Sequence, residues 1–337
     1  IEAPGFASFE VEARGYPFPT YQWFRDGEPL EGEIARVLWL DNLWEEDSGE
    51  VTVVVSNELG EVESQVADLI VTEILDEELA DAIDLENGRV ISIQFNEELQ
   101  PWERFTSKSS DGEDSARAFS SIRDWYSDQV FAVRLEGPGF LTFKWRLESS
   151  RVLNEFEELR LSCTLDDQFA FEDENELAVL IDAKRSSVAK WIDNWVMIPE
   201  GNHTVYFTFL KDGELTGRAY VDQMAFKRAE AGKPSLVKIS TQEANVELGD
   251  RLEMKVDQVE GYPFPTFQWR LNGEVIKDAT NHFYKVEHAW DFDTGEYTVV
   301  ASNEHGSLES EPLKVTVSGE GISSLADGLD ATGLKFA

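Results

Sequence analysis

Oxygen donors dominate the chemistry this chain could do. Asp111, Glu113 and Asp114 stand together in DGEDS at 111–115, and EDENE at 172–176 and DFD at 291–293 are further acidic runs. Hard carboxylate ligands suit calcium, and none of these runs completes a known binding loop. Calcium at Asp111, Glu113 and Asp114 is therefore the one cofactor candidate. Trp191 and Trp195 lie four apart in KWIDNW. On a strand they would share a face, which makes them candidates for a sugar-stacking platform. Sheet core is the competing reading for them, as for Trp102, Trp125 and Trp145, because tryptophan is usually well buried. The four histidines, His203, His282, His288 and His305, include no HExxH pair, and Cys163 is alone. Transition-metal sites thus lack support, and a disulfide within the chain is excluded. His203 reads as a turn residue in GNHT, and Cys163 as a small buried hydrophobe in LRLSCTL. No nucleophile elbow, phosphate loop or dinucleotide fingerprint is present. Close carboxylate pairs are uninformative in a chain with 67 acidic residues. No catalytic residue is assigned, and the chain does not read as an enzyme.

Acidity also bounds the partners. The chain has 337 residues, with 67 acidic against 29 basic side chains, a formal charge of −38. Phosphate would be repelled, so nucleic acid is an unsuitable partner, and the same holds for anionic lipid. No run approaches the roughly 18 apolar residues of a membrane span. The opening IEAPGF is neither basic nor followed by an apolar run, so it is no signal peptide and reads as the interior of a longer polypeptide.

The elements that must position these residues repeat. GYPFPTYQW begins at Gly15 and GYPFPTFQW at Gly261 (261 − 15 = 246). SNELG ends at Gly60 and SNEHG at Gly306, and LADAID starts at Leu79 and LADGLD at Leu325, all at the offset of 246. A long fixed period marks a tandem array. Short alternating runs broken by GYPFP, RDGE and SNELG predict β-strands and turns from 1 to 73 and from 231 to 318. The first copy lacks the segment that precedes Glu247 in the second, so it lacks its opening strand or strands and offers a pairing edge. Between them, 74–230 carries seven or more strand-like runs, among them QVFAVRL, FLTFKWRL and TVYFTFL, which suggests a jelly-roll-like sandwich. Residues 319–337 read as the start of a second such unit. The expected fold is all-β, two sandwiches flanking a third, in an array of period 246.

Gly261, Pro263, Pro265, Trp269, Gly273, Asp293, Gly295, Tyr297 and Asn303 form one pattern. Gly15, Pro17, Pro19, Trp23, Gly27, Asp47, Gly49 and Asn57 repeat it, with Val51 where tyrosine is expected. The pattern resembles immunoglobulin-like domains of the intermediate set. That resemblance implies a buried Trp23 and Trp269 and a corner hydrogen bond from Tyr297. Val11 and Val53, and Val299 with Val256 or Asp257, stand where the family's cysteine pair would be. The central unit resembles a sandwich module of large secreted proteins from planctomycete and verrucomicrobial type bacteria. The resemblance rests on LADAID, DGEDSARA, EGPGFLTFKWRLESS, IPEGNHTVYFTFLKDG and YVDQMAF. It carries over no catalytic residues.

These readings lead to a structural or adhesive repeat segment of a large extracellular bacterial surface or filament-forming protein. Its partners would be copies of itself or neighbouring repeat units, and surface glycans are a further candidate. The alternative is a carbohydrate-binding module array attached to a distant enzyme.

Overall fold

The computed structural model describes residues 1–319 apart from 87, 94–99, 122–123, 125, 151–152, 154–156, 167–180, 183–189 and 242–243. The run at 172–176, Trp125 and residues 320–337 therefore lie outside the described residues. The chain is nearly all β and divides into two compact units. The first holds Ile1–Gly137 with Leu141–Phe226; the second holds Pro138–Phe140 and the chain from Lys227.

In the first unit, residues 1–73 build two small sheets. Gly5–Glu10 pairs with Val37–Leu43, and Thr20–Arg25 pairs with Gly49–Asn57, which also carries Gly60–Glu63 and Ala67–Leu69. Strands form here because Val51, Val53 and Val55 alternate inward from a pleat that favours branched side chains. The second unit repeats this plan from 237 to 318, and single bonds recur at the sequence offset. Trp23 Nε1 donates to the Ala35 carbonyl at 2.8 Å and Trp269 Nε1 to the Asn281 carbonyl at 2.9 Å. Asn57 Nδ2 donates to Pro17 O at 2.9 Å and Asn303 Nδ2 to Pro263 O at 2.8 Å. A Cβ at Gly49 would sit 2.5 Å from Asp26 Oδ2, and one at Gly295 would sit 2.6 Å from Asn272 Oδ1. A side chain at either place would displace the Asp26 carboxylate or the Asn272 amide from the turn.

The two copies differ at their openings. In the second, Val237–Thr241 adds a strand to Leu252–Val259, whereas Gly5–Glu10 pairs only with Val37–Leu43 among the described strands. Asp257 is the inserted residue: Lys238 faces Gln258 and Ile239 faces Val256, so Asp257 bulges out of the ladder. That bulge assigns the family's first cysteine position to Val256, which is buried with Val299.

The central strands run in the order Ile181–Asp182, Glu158–Leu165, Ile192–Asp212, Tyr126–Ser149, Gly217–Arg228, Ser115–Ser120, Glu103–Phe105, with Arg89–Ile93 also on Tyr126–Ser149. Tyr126–Ser149 has 24 residues, roughly 80 Å if straight. A domain of about 150 residues has a radius of gyration of about 15 Å, so the strand must bend. Phe131 and Phe143, from its two halves, both meet Phe207, at 4.7 and 5.0 Å between ring centres. The bent strand thus lines one core from two sides, with Trp102, Trp145 and Cys163 buried in it. A short helix, Glu77–Ala82, capped by Asp76 accepting from Leu79 N, runs into LADAID.

Candidate functional site: a seam and an acidic cluster

Three central strands are buried on both faces. Phe131 and Val133 point into the central core, while Val130 and Ala132 between them point the other way. Val205 and Phe207 point in and Tyr206 out; Val90 points in and Ile91 out. Side chains alternate along a strand, so a run such as VFAV at 130–133 can be apolar throughout and buried only where both faces are covered. The outer cover is the 1–73 segment. Val130, Ala132, Tyr206 and Ile91 share one continuous core with Trp23, Leu38, Trp44, Val53 and Val71.

Trp44 anchors this seam and is 0 % exposed. Its Nε1 donates to Thr204 Oγ1 at 2.9 Å and to Asn42 Oδ1 at 3.2 Å. The guanidinium groups of Arg89 and Arg134 lie over its ring, 5.0 and 5.2 Å from a ring centre, a cation–π arrangement. Thr204 uses its full capacity: Oγ1 accepts from Trp44 and from Arg134 Nη1 at 3.0 Å and donates to Asn42 Oδ1 at 2.9 Å. Tyr206 OH donates to the same Asn42 oxygen at 2.8 Å. Local backbone aims that oxygen. The register between Gly5–Glu10 and Val37–Leu43 slips beside Asn42, whose φ of 49° is a left-handed conformation that asparagine tolerates. Asp166 completes the polar layer, accepting from Thr204 N at 2.8 Å and bonding His203 Nδ1 at 2.6 Å.

Charge holds the rim. Glu46 pairs with Arg134 at 3.0 Å and with Arg89 at 2.9 Å, and Arg89 Nε also donates to Glu73 at 2.9 Å. Burial by itself would raise the Glu46 carboxyl, but hydrogen bonds and charge from Arg89 and Arg134 outweigh it and hold it at about 2. Burial, helped by the Asp166 charge, pushes the Tyr206 hydroxyl up, so it stays a donor.

A second cluster lies within the central unit. Asp84, Asp111 and Asp222 bring carboxylate oxygens within 4.8 Å of one another. Burial and the charges of Asp222, Asp111, Asp114 and Glu113 push Asp84 up to about 6. Asp84 ends LADAID and Asp222 sits in YVDQMAF, and Met224 N donates to Ile83 O at 2.6 Å, joining the two segments. Of the calcium candidates, Asp111 belongs to this cluster. Asp114 is instead buried against Arg104, whose Nε donates to it at 2.7 Å, and Glu113 contributes its backbone N–H to Asp111 at 2.8 Å. Of the stacking candidates, Trp191 is half-buried, donates to Ser109 O at 3.1 Å and meets Tyr220 edge-on at 6.2 Å. Trp195 is half-buried on a strand whose neighbours Asn194 and Val196 point inward. The two do not form an exposed pair.

The immunoglobulin I-set domain family matches residues 5–71 and 234–317. Both flanking segments are immunoglobulin-like domains. Among solved structures, Sidekick-1 immunoglobulin domains 1–4 are 12 % identical, with 94 % of this chain and 95 % of that one covered and a TM-score of 0.23. The N-terminal four Ig domains of Dscam1 isoform 4.44 are 13 % identical, over 94 % and 96 %, with a TM-score of 0.24. Tandem Ig repeats of Dlar are 15 % identical, over 57 % and 89 %, with a TM-score of 0.23.

Within the immunoglobulin-like domains the implied features are in place. Trp23 and Trp269 are buried, and Tyr297 OH donates to Asp293 O at 2.8 Å. Val51, its counterpart in the first domain, is buried without such a bond. The seam itself was missed by sequence reasoning. Its signal was present: W-x-x-D occurs at Trp44–Asp47 and again at Trp290–Asp293, at the same offset of 246. Thr204, Arg134 and Asp166 left no comparable mark, because nothing local distinguishes them from other strand and turn residues.

Proposed function

We propose that the chain is a structural or adhesive repeat segment of a large extracellular bacterial surface or filament-forming protein, non-catalytic and working through contacts between domains and between chains. The observation that supports this most is the seam. It commits Glu46, Arg89, Arg134 and Asp166 to fastening an immunoglobulin-like domain onto a sandwich. Such fastening stiffens a chain of repeats, and stiffness is useful where length is the function. The central unit on this reading is a jelly-roll-like module alternating with immunoglobulin-like domains. Calcium on this reading binds at Asp84, Asp111 and Asp222, where it would offset three crowded carboxylates.

Electron microscopy of the native material, with and without a chelator, tests the reading. Filaments whose axial repeat holds one immunoglobulin-like domain and one sandwich are expected. Dispersed single molecules that bind glycans through Trp191 and Trp195 would replace this reading with the carbohydrate-binding one.

A further inference from the structure

We propose that the surface around Trp290 and Phe292 of the second immunoglobulin-like domain is a docking face for another sandwich of the central type, seated as the central sandwich is seated on Trp44. Trp290 is presented as Trp44 is. The backbone angles are φ −122°, ψ 173° at Trp44 and φ −121°, ψ 169° at Trp290. Trp44 N donates to Asp47 Oδ2 at 2.9 Å and Trp290 N to Asp293 Oδ2 at 2.8 Å. A turn bonded this tightly fixes where the ring stands. Yet Trp44 is 0 % exposed, whereas Trp290 is 50 % and Phe292 76 % exposed. Two large rings two residues apart on a rigid turn are an apolar patch of the kind that marks a partner.

The repeat names the occupant. In the first seam the ring is covered by Arg89, Arg134 and Thr204 of the sandwich that follows the domain. After the second domain the sequence begins the same unit again, with LADGLD at 325–330 and Lys335 in the register of Arg89 (335 − 89 = 246). By register alone, Lys335 is the counterpart of the cation that lies over the Trp44 indole. The second seam differs in character. Phe292 stands in the register of Glu46 and His288 in that of Asn42, so no carboxylate clamps the cation and the contact is drier and more aromatic. The partner chemistry is an outer sheet face of alternating apolar residues with a basic side chain at its rim, as Val130, Ala132 and Arg134 form here.

The proposal rests on the array reading above, and its failure is separable from the failure of that reading: filaments without protection at position 292 would overturn the docking face and leave the array standing. The experiment is thiol labelling of Phe292→Cys. Cys163 is buried and does not compete. The label is compared in the 337-residue chain and in a chain continued after Ala337 with a copy of residues 92–228, which keeps the register (337 − 246 = 91). Labelling is expected to slow about tenfold or more in the continued chain, to recover with Trp290→Ala, and to be unchanged for a Val275→Cys reference. Equal rates at position 292 with the added sandwich folded would overturn the proposal. A second arm covers failure of that sandwich to fold. The Trp44→Ala chain, whose sandwich face has lost the indole that covers Arg89, Arg134 and Thr204, is added in excess to the Phe292→Cys chain. Protection that the wild-type chain does not give supports docking, and no protection overturns it.

Discussion

The two immunoglobulin-like domains carry the same tryptophan on the same turn, and only one of them is covered. Trp44 is sealed beneath Arg89, Arg134 and Thr204, while Trp290 stands half in solvent. Domain sequence sets how the ring is held. Whether the ring stabilises anything depends on what is laid over it. The difference teaches that a repeat can encode an interface without encoding, in the same residues, the partner that completes it.

The sharpest way to break this comparison is truncation of both rings. Trp44→Ala is expected to lower the stability of the first unit by about 3–5 kcal/mol, since it opens a cavity in the shared core and removes both the Nε1 bond to Thr204 and the ring beneath Arg89 and Arg134. Trp290→Ala in the same chain is expected to change stability by less than about 0.5 kcal/mol, as for ordinary surface substitutions. Denaturant unfolding with probes in each unit measures both, and equal costs would mean that the cover is irrelevant.

Smaller effects sharpen it. Glu46→Gln is expected to cost about 1 kcal/mol near neutral pH, a charge-assisted pair discounted for partial exposure. Because Glu46 is held at about 2 in the folded chain against an ordinary 4.5, its contribution is full above 4.5 and lost as pH falls toward 2. The wild-type and Glu46→Gln melting curves should therefore converge in acid, whereas Phe292→Gln should show no such convergence. Tyr297→Phe removes the bond to Asp293 O and is expected to cost about 1 kcal/mol, confined to the second unit. The first domain has buried Val51 at that place and lacks this bond.

The smallest change lies away from both turns and serves as a control. Asp84 is raised to about 6 from an ordinary 3.8, so ionising it opposes folding above pH 6 and has no effect below 3.8. Asp84→Asn should raise the melting temperature at pH 7 and leave it unchanged at pH 3.5. Asparagine accepts the left-handed φ of 61° there, so the backbone is not disturbed. The Trp44 seam should not respond to this variant.

Much of the fold was legible. The alternation of Val51, Val53 and Val55, the GYPFP breaks and the Trp23 and Trp269 pins are local signals, and they appear in the structure as strands, turns and matching tryptophan hydrogen bonds. The candidate site was legible only in fragments. DGEDS flagged Asp111 but grouped it with Glu113 and Asp114, because sequence neighbours are easy to see and fold neighbours are not. Asp84 and Asp222, which the structure brings to Asp111, are 138 residues apart (222 − 84 = 138). Asn42, Trp44 and Glu46 sat inside a domain pattern that did not ask about them.

What the sequence determined by itself is the class of element at each place and the repetition of domains, because side-chain alternation, proline and glycine act over a few residues at a time. What only the tertiary structure decided is which face meets which. The outer faces of Val130–Ala132, Tyr206 and Ile91 are apolar in sequence whatever covers them, and folding alone brought Trp44 there. The low Glu46 carboxyl and the saturated Thr204 hydroxyl are properties of surfaces meeting across 43 to 162 residues of chain, which no local pattern can specify.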